Sequence, residues 1–204
     1  MAEPSSRRAE TRQRILDAAG LLFRQHGIDG VGVDAVMKQA GLTHGGFYAH
    51  FASKEALAAE AAQSLLEKSA RSWDEISRTD EPDAALRRIV SAYLNPEKVA
   101  SGLGCSLTSL GPDVARRSAS RSAVGGALRR MLEALARVMP ERDAAEIEIG
   151  HDRYGHTPGR ALAALSTLVG AVVLARLADE PDLAQAFLDA AAASILPDRK
   201  NTSG

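Results

Sequence analysis

The run Gly41-Leu42-Thr43-His44-Gly45-Gly46-Phe47-Tyr48-Ala49-His50-Phe51-Ala52-Ser53-Lys54 constrains this chain more than any other stretch. It obeys the rules of helix formation on one face and breaks them on another. Phe47 and Phe51 stand four apart and share a helical face with Leu42 nearby, while His44 and Tyr48, also four apart, project elsewhere. The first face reads as core and the second as free. Between them lie two glycines, each costing about 1 kcal/mol relative to alanine within a helix, in a segment too short to be stable alone. Backbone without side chains suits close approach to another molecule. A short helix offering a hydroxyl, an imidazole, bare backbone and a phenol suits the wall of a DNA groove. A three-helix bundle that binds nothing has no use for Gly45 and Gly46.

Upstream, Ile15, Ala18, Ala19, Leu22 and Phe23 repeat with helical spacing. They predict an amphipathic helix from about residue 8 to 26, stopped by Gly27 and preceded by a mobile polar tail over residues 1–6. A turn over 30–33 and a short helix over 34–40 follow, the latter with Val36, Met37 and Ala40 inward. Arg7, Arg8, Arg12 and Arg14 crowd the start of the chain. Such a cluster is either a solvated helix face or a basic arm lying along phosphates. A net charge of -1 and a pI near 6.5 exclude a protein that coats nucleic acid indiscriminately, so any attraction to DNA has to be local.

From Arg8 to Lys54 the sequence resembles the helix-turn-helix domain of TetR-family transcriptional regulators. The resemblance rests on a helix ending at Gly27, a second ending Ala40-Gly41-Leu42, and the pairs Phe47-Tyr48, His50-Phe51 and Ser53-Lys54. It implies that the third helix enters the major groove and that DNA contacts fall to Thr43, His44, Gly45, Tyr48, His50 and Lys54, with Arg7 and Arg8 on phosphates. In that reading Thr43 caps the third helix, His44 and the Gly45 backbone read bases, and Tyr48 reaches a phosphate. Ser53 caps the next helix, and Lys54, opposing that helix's dipole, suits a phosphate better. Two departures stand out: Gly32 replaces the usual Ser or Thr cap of the second helix, and His44 sits where Lys or another long polar residue is common. The resemblance further implies a DNA-binding domain over 1–54 and an effector-binding and dimerisation domain over 55–204. The whole is all-α, of about nine helices, and needs no cofactor.

Past Lys54 the chain becomes rich in alanine and leucine and shows no strand pattern. Helices are predicted over about 53–77 and 82–94, the second broken by Asn95-Pro96, with a flexible joint at Ser101-Gly102-Leu103-Gly104 and a further break at Gly111-Pro112. Another helix follows over 118–138, then a polar loop over 141–159, and two final helices start near Ala161 and after Pro181. His151, Asp152 and His156 have no spacing that places them on one helical face, so no metal site is assigned. Leu165, Val169, Val172 and Val173, with Phe187, are more apolar surface than one small body covers. In the family the last two long helices form a four-helix dimer interface, and Gly170, Ala190 and Ala191 allow close packing there. A buried hairpin within one chain is the alternative. Trp73, Tyr93, Cys105, Leu107, Met131 and Leu135 are the candidate effector contacts, or plain core. With few aromatics after Phe51, a small or aliphatic effector is favoured over a bulky cation.

At 204 residues, 45% hydrophobic, the chain can bury a sizeable core. The single Cys105 excludes an internal disulfide. No apolar segment of about 18 residues and no signal-peptide pattern is read, which predicts a cytoplasmic protein without a membrane partner. The expected function is a homodimeric repressor that binds a palindromic operator and is released by a small effector. An alternative makes Cys105 an oxidant or electrophile sensor. The reading from another class, an enzyme using Cys105 with His151 or His156, lacks a glycine-rich phosphate loop, a nucleophile elbow or a metal motif.

Overall fold

The computed structural model describes residues 4–102, 104–139 and 159–197. Among these the chain is all-helical, as expected, with nine α-helices and one 3₁₀-helix. In order they are α1 (Pro4–His26), α2 (Val33–Gln39), the 3₁₀-helix η1 (His44–Ala49), α3 (Lys54–Thr79), α4 (Pro82–Tyr93), α5 (Pro96–Ala100), α6 (Ser106–Ala115), α7 (Ser118–Val138), α8 (Gly159–Leu177) and α9 (Pro181–Ile195). The expected loop over 141–159, with His151, Asp152, Tyr154 and His156, lies almost wholly outside the described residues.

Compactness divides the chain into two units. Met1–Lys68 joins Ser106–Ala127, and Ser69–Cys105 joins Leu128–Gly204. This division differs from the functional boundary expected after residue 54, because α6 packs against α1 and carries the start of α7 into the first unit.

In the first unit, α1 begins four residues earlier than expected, at Pro4, a residue well tolerated in a first helical turn. Its face of Ile15, Leu16, Ala19 and Phe23 is buried. It ends where Gly27 adopts φ 73° and donates its N–H to Phe23 O at 2.9 Å. At the end of α2, Gly41 adopts φ 68°, its N–H bonds Lys38 O at 3.0 Å and the Leu42 N–H bonds Met37 O at 2.9 Å. That pair of bonds is the Schellman arrangement, which requires a left-handed residue at Gly41. Arg14 adds a guanidinium on Ala40 O at 2.6 Å, a cation at the negative end of α2.

The turn between α1 and α2 is held from far along the chain. Ile28 N–H donates to Asp113 Oδ2 at 2.7 Å, and Asp113 is buried in α6. Arg117, its side chain only 13% exposed, pairs with Asp29, reaches Glu55 at 3.2 Å and donates to Asp113 O at 3.0 Å. Gly111-Pro112 does not break the chain as expected. Pro112 sits inside α6, which continues one turn past it so that Asp113 and Val114 face inward.

In the second unit, α4 buries Ala85, Leu86, Ile89 and Val90. Asn95 caps α5 by accepting the Lys98 N–H at 2.9 Å, so Asn95-Pro96 restarts a helix as well as ending one. Arg137 ties α7 to α3 through Asp74 at 3.1 Å and through Ser77. Helices α8 and α9 pack along one another. Contrary to the reading that no long apolar segment exists, α8 is 19 residues with a mean hydropathy of 1.6, enough to cross a membrane by length and composition. Arginines lie near both its ends, at 160 and 176, and its inward side is buried at Ala161, Ala164, Leu165, Leu168 and Val172.

Replacing Asp113 by alanine strands the Ile28 N–H and leaves Arg117 with fewer partners. We expect a loss of about 2–4 kcal/mol in urea unfolding, with Asp113→Asn, which keeps an acceptor, losing less. Equal stability of Asp113→Ala and the parent chain would refute this role.

Candidate nucleic-acid interface

The stretch that dominates the sequence folds as η1, not as the expected α-helix. Six residues with two glycines are too short and too poor in helix formers to hold α geometry, and the tighter 3₁₀ turn is the usual form of such short pieces. Phe47 and Phe51 still meet the core as expected: both are buried, and their rings stack at 5.9 Å. The Arg12 guanidinium lies over Phe51 at 4.5 Å and pairs with Glu60 on α3. This fixes η1 between α2, α1 and α3.

The opposite side of η1 is open. Tyr48 is 68% exposed, with its ring edge-on to Phe47 at 5.2 Å. His44 is exposed, T-shaped to Tyr48 at 6.5 Å, and its Nδ1 is hydrogen-bonded to Asp34 of α2. A Cβ added at Gly45 would meet nothing within 4 Å, and one at Gly46 would make ordinary contact with Met37 at 3.7 Å. Neither glycine has positive φ. Internal packing therefore does not require Gly45.

Other expected contacts divide. Thr43 precedes η1 in extended conformation, but its hydroxyl makes no cap; the cap bond is from the Gly46 N–H to Thr43 O at 3.2 Å. Its exposed side chain thus remains available. His50 ends η1 half-buried, and its Nδ1 is enclosed without a hydrogen-bond partner. Ser53 caps α3 as expected, accepting the Ala56 N–H at 3.1 Å, while Lys54 Nζ extends to Asp29 O at 3.5 Å. Of the four early arginines, Arg8 donates to Ala49 O at 2.8 Å, and Arg12 and Arg14 are engaged as above. Their work is to seat η1 and α2 on α1, which the sequence did not reveal. Arg7, Arg8 and Arg14 are exposed, and of the four Arg7 has no hydrogen bond or ion pair to a described residue.

In the second unit the candidate effector residues separate likewise. Trp73 and Tyr93 meet edge-to-face at 5.7 Å, and Tyr93 Oη lies 2.5 Å from Cys105 Sγ. Burial pushes the Tyr93 phenol well above its usual pKa, and Cys105 adds to the shift. Met131 and Leu135 are fully buried, and Leu107 belongs to the first unit. Among the described residues no group of three metal-ligating side chains occurs.

The residues expected at a pairing surface divide by burial. Leu165, Val172 and Ala191 are buried within the chain, and Val169, Gly170 and Phe187 are half-buried; only Val173 and Ala190 stand exposed. The outward apolar side chains are Val173, Leu174, Leu177 and Leu183. An open groove of about 340 Å³ between α8 and α9 is lined by Gly170, Ala171, Leu174, Phe187, Ala190 and Ala191, with Thr167 and Ser194.

An exposed polar and glycine edge on a short helix, seated by α1 and α2, is the arrangement of a helix-turn-helix DNA reader. Residues 15–61 match the family described as bacterial regulatory proteins, tetR family. The chain is similar to the HTH-type transcriptional regulator AcrR of Shigella flexneri, 45% identical over 51 residues, which are 25% of this chain and 24% of that protein. The chain thus matches about a quarter of that relative's length. The fold of the whole is that of solved TetR-family regulators. One from Agrobacterium tumefaciens superposes with a TM-score of 0.72 at 17% identity, covering 93% of this chain and all of the other. E. coli NemR in its reduced form gives 0.71 at 21% identity, covering 91% and 95%, and a TetR regulator from Legionella pneumophila gives 0.69 at 18%, covering 96% of each.

The open space at Gly45 separates stability from binding. Gly45→Ala should hold or raise stability by up to about 1 kcal/mol while lowering DNA affinity, checked by thermal melting beside a binding titration. Lower stability with intact affinity would refute the DNA-facing role. Arg7→Ala should weaken binding to all sequences alike and reduce the salt slope by about 1, measured by titrations across salt concentrations.

Proposed function

We propose that this chain is a transcriptional repressor that binds a palindromic DNA operator as a homodimer and is released by a small-molecule effector. Residues 1–54 form the DNA-binding domain, and residues 55–204 bind effector and partner. The observation that carries this reading is η1, whose buried Phe47 and Phe51 hold an uncovered edge of Thr43, His44, Gly45 and Tyr48 outward. Phosphate contacts from Arg7, Lys54, Tyr48 and Thr43 position the head, and His44 and the Gly45 backbone read base edges. Such a protein works in the cytoplasm and does no catalysis.

The outward apolar residues of α8 and α9 support pairing of two chains. Two copies of this helix pair, laid groove to groove, cover Leu174 and Leu177 and make a four-helix interface. Two heads so joined have to sit about one turn of DNA, or a multiple, apart. Helix α3 begins at Lys54, so an effector that shifts α3 alters head spacing and weakens DNA binding by its preference for one state over the other.

The alternative, an oxidant sensor at Cys105, draws on the shared fold with a protein described in a reduced form. The burial of Cys105 and its contact with the Tyr93 hydroxyl support a core role instead. Peroxide treatment of the native protein and of Cys105→Ser, followed by DNA binding, separates the two; equal response in both leaves Cys105 as core.

Selection of duplexes from a random pool tests the main reading, with a palindrome as the expected product. For the pairing surface, Leu174→Glu should give monomers by sedimentation at micromolar concentration, with loss of binding to the full palindrome and little change in melting, because Leu174 is 45% exposed. A dimer that still binds would place the interface elsewhere.

A further inference from the structure

His44 and Asp34 form a pair that the reading of η1 as a DNA reader does not by itself explain. Asp34 lies in the first turn of α2, and its Oδ1 is hydrogen-bonded to Nδ1 of His44 at the start of η1. Both side chains are open to solvent, 57% for His44 and 81% for Asp34, so the pair adds little to stability. A carboxylate on a surface that meets phosphates opposes binding unless it serves another purpose.

A carboxylate can only accept, so Nδ1 has to carry the proton whether the ring is neutral or charged. The hydrogen bond made by one ring nitrogen decides the state of the other. We infer that Asp34 is a positioning residue for base readout: by taking the Nδ1 proton it leaves Nε2 as the one ring nitrogen His44 can offer to a base pair. Nε2 is an acceptor in the neutral ring and a donor in the imidazolium. In the major groove the acceptor matches the amino groups of adenine N6 or cytosine N4, and the donor matches guanine N7 or O6, adenine N7 or thymine O4. The preferred base at that position therefore changes with the protonation of a single side chain.

Charged and titratable groups lie on the described elements beside His44. From α2 come Asp34 and, one turn on, Lys38; from α1 comes Arg8, committed to Ala49 O; from η1 itself come Tyr48, edge-on, and His50. Of these, Asp34 is the one whose hydrogen bond to the ring is seen.

This inference rests on the DNA-reading function, and two experiments keep the fates of the two apart. Long-range proton–nitrogen NMR of His44 in the full chain without DNA should show Nδ1 protonated and Nε2 bare in the neutral ring. Asp34→Ala should mix the tautomers, and Asp34→Glu, which keeps an acceptor-only carboxylate, should hold the original pattern better than Asp34→Asn, whose amide can also donate to Nδ1. A neutral parent ring protonated on Nε2 overturns the inference whether or not DNA is bound. Duplex selection is then run at roughly pH 5.5 and pH 8, on either side of the usual histidine range. At one base pair in each half-site, preference should move from an amino-bearing base at high pH toward guanine or thymine, which present acceptors and no amino group in the major groove, at low pH, by roughly fivefold to tenfold, as expected for one base-edge hydrogen bond. Asp34→Ala should lose that shift and Asp34→Glu keep more of it. A selected operator whose preference is the same at both pH values overturns the inference while leaving the DNA-reading function standing. Failure to select any operator removes the DNA-reading function, and base readout by His44 with it.

Discussion

The hydrogen bond from Ile28 N–H to Asp113 is the interaction on which the head depends most. Gly27 ends α1 in a left-handed turn, and the next amide has no helical acceptor left to it. Asp113 supplies one from 85 residues away, and the geometry leaves little slack, since a Cβ on Gly27 would come within 3.3 Å of the same oxygen. A buried carboxylate needs its own compensation, which Arg116 and Arg117 provide. Arg117 in turn holds Asp29 beyond the turn and Glu55 at the start of α3. One corner between α6 and α7 thus fixes where α1 stops and where α3 begins, and the direction in which η1 faces follows from those two.

This dependence explains what was legible in the sequence and what was not. The helix ends at Gly27 and Gly41, the inward faces of α1 and α2, the cap at Ser53 and the buried Phe47–Phe51 pair are local features, each set by glycine conformation, periodicity or a side chain three residues from its partner. Asp113 and Arg117 carry no local mark. They follow a Gly-Pro pair that reads as a break, and their partners are separated by tens of residues. The early arginines pose a related difficulty: charge clustering predicts attraction to phosphate, and Arg8, Arg12 and Arg14 also find a carbonyl, a carboxylate with an aromatic face, and a helix end inside the chain. A guanidinium suits carbonyls, carboxylates and phosphates alike, so type and spacing cannot decide among them.

Helix α8 shows the opposite difficulty. Its apolar residues surround it, so periodicity gives no direction, and composition alone nominated Val172 and Leu165, which the chain keeps for its own core. A helix apolar on every side has to be covered twice. Within the chain α9 covers one side, and Leu174 and Leu177, the latter 76% exposed, mark the side still uncovered. The same property lets α8 satisfy the length and hydropathy of a membrane span while packing as half of a helical pair.

In the proposed function, sparse base contact at η1 ties the pairing of two chains to the reading of DNA. With a threonine, a histidine, one glycine and a tyrosine at the edge, one such head gains little beyond phosphate attraction, and most of that is lost on any duplex as salt rises. Joining two heads makes the second contact intramolecular, which can raise avidity roughly 10²–10⁴-fold with no new side chain, provided both half-sites are reached together. In the proposed dimer that factor depends on head spacing alone. A ligand that changes the spacing forfeits it without touching η1, whereas a head with many base contacts would stay bound through one half-site. In the proposed function, weak readout at each head is what makes release by a distant effector possible, and Gly45, which gives away a side chain at the reading edge, serves that weakness as well as close approach.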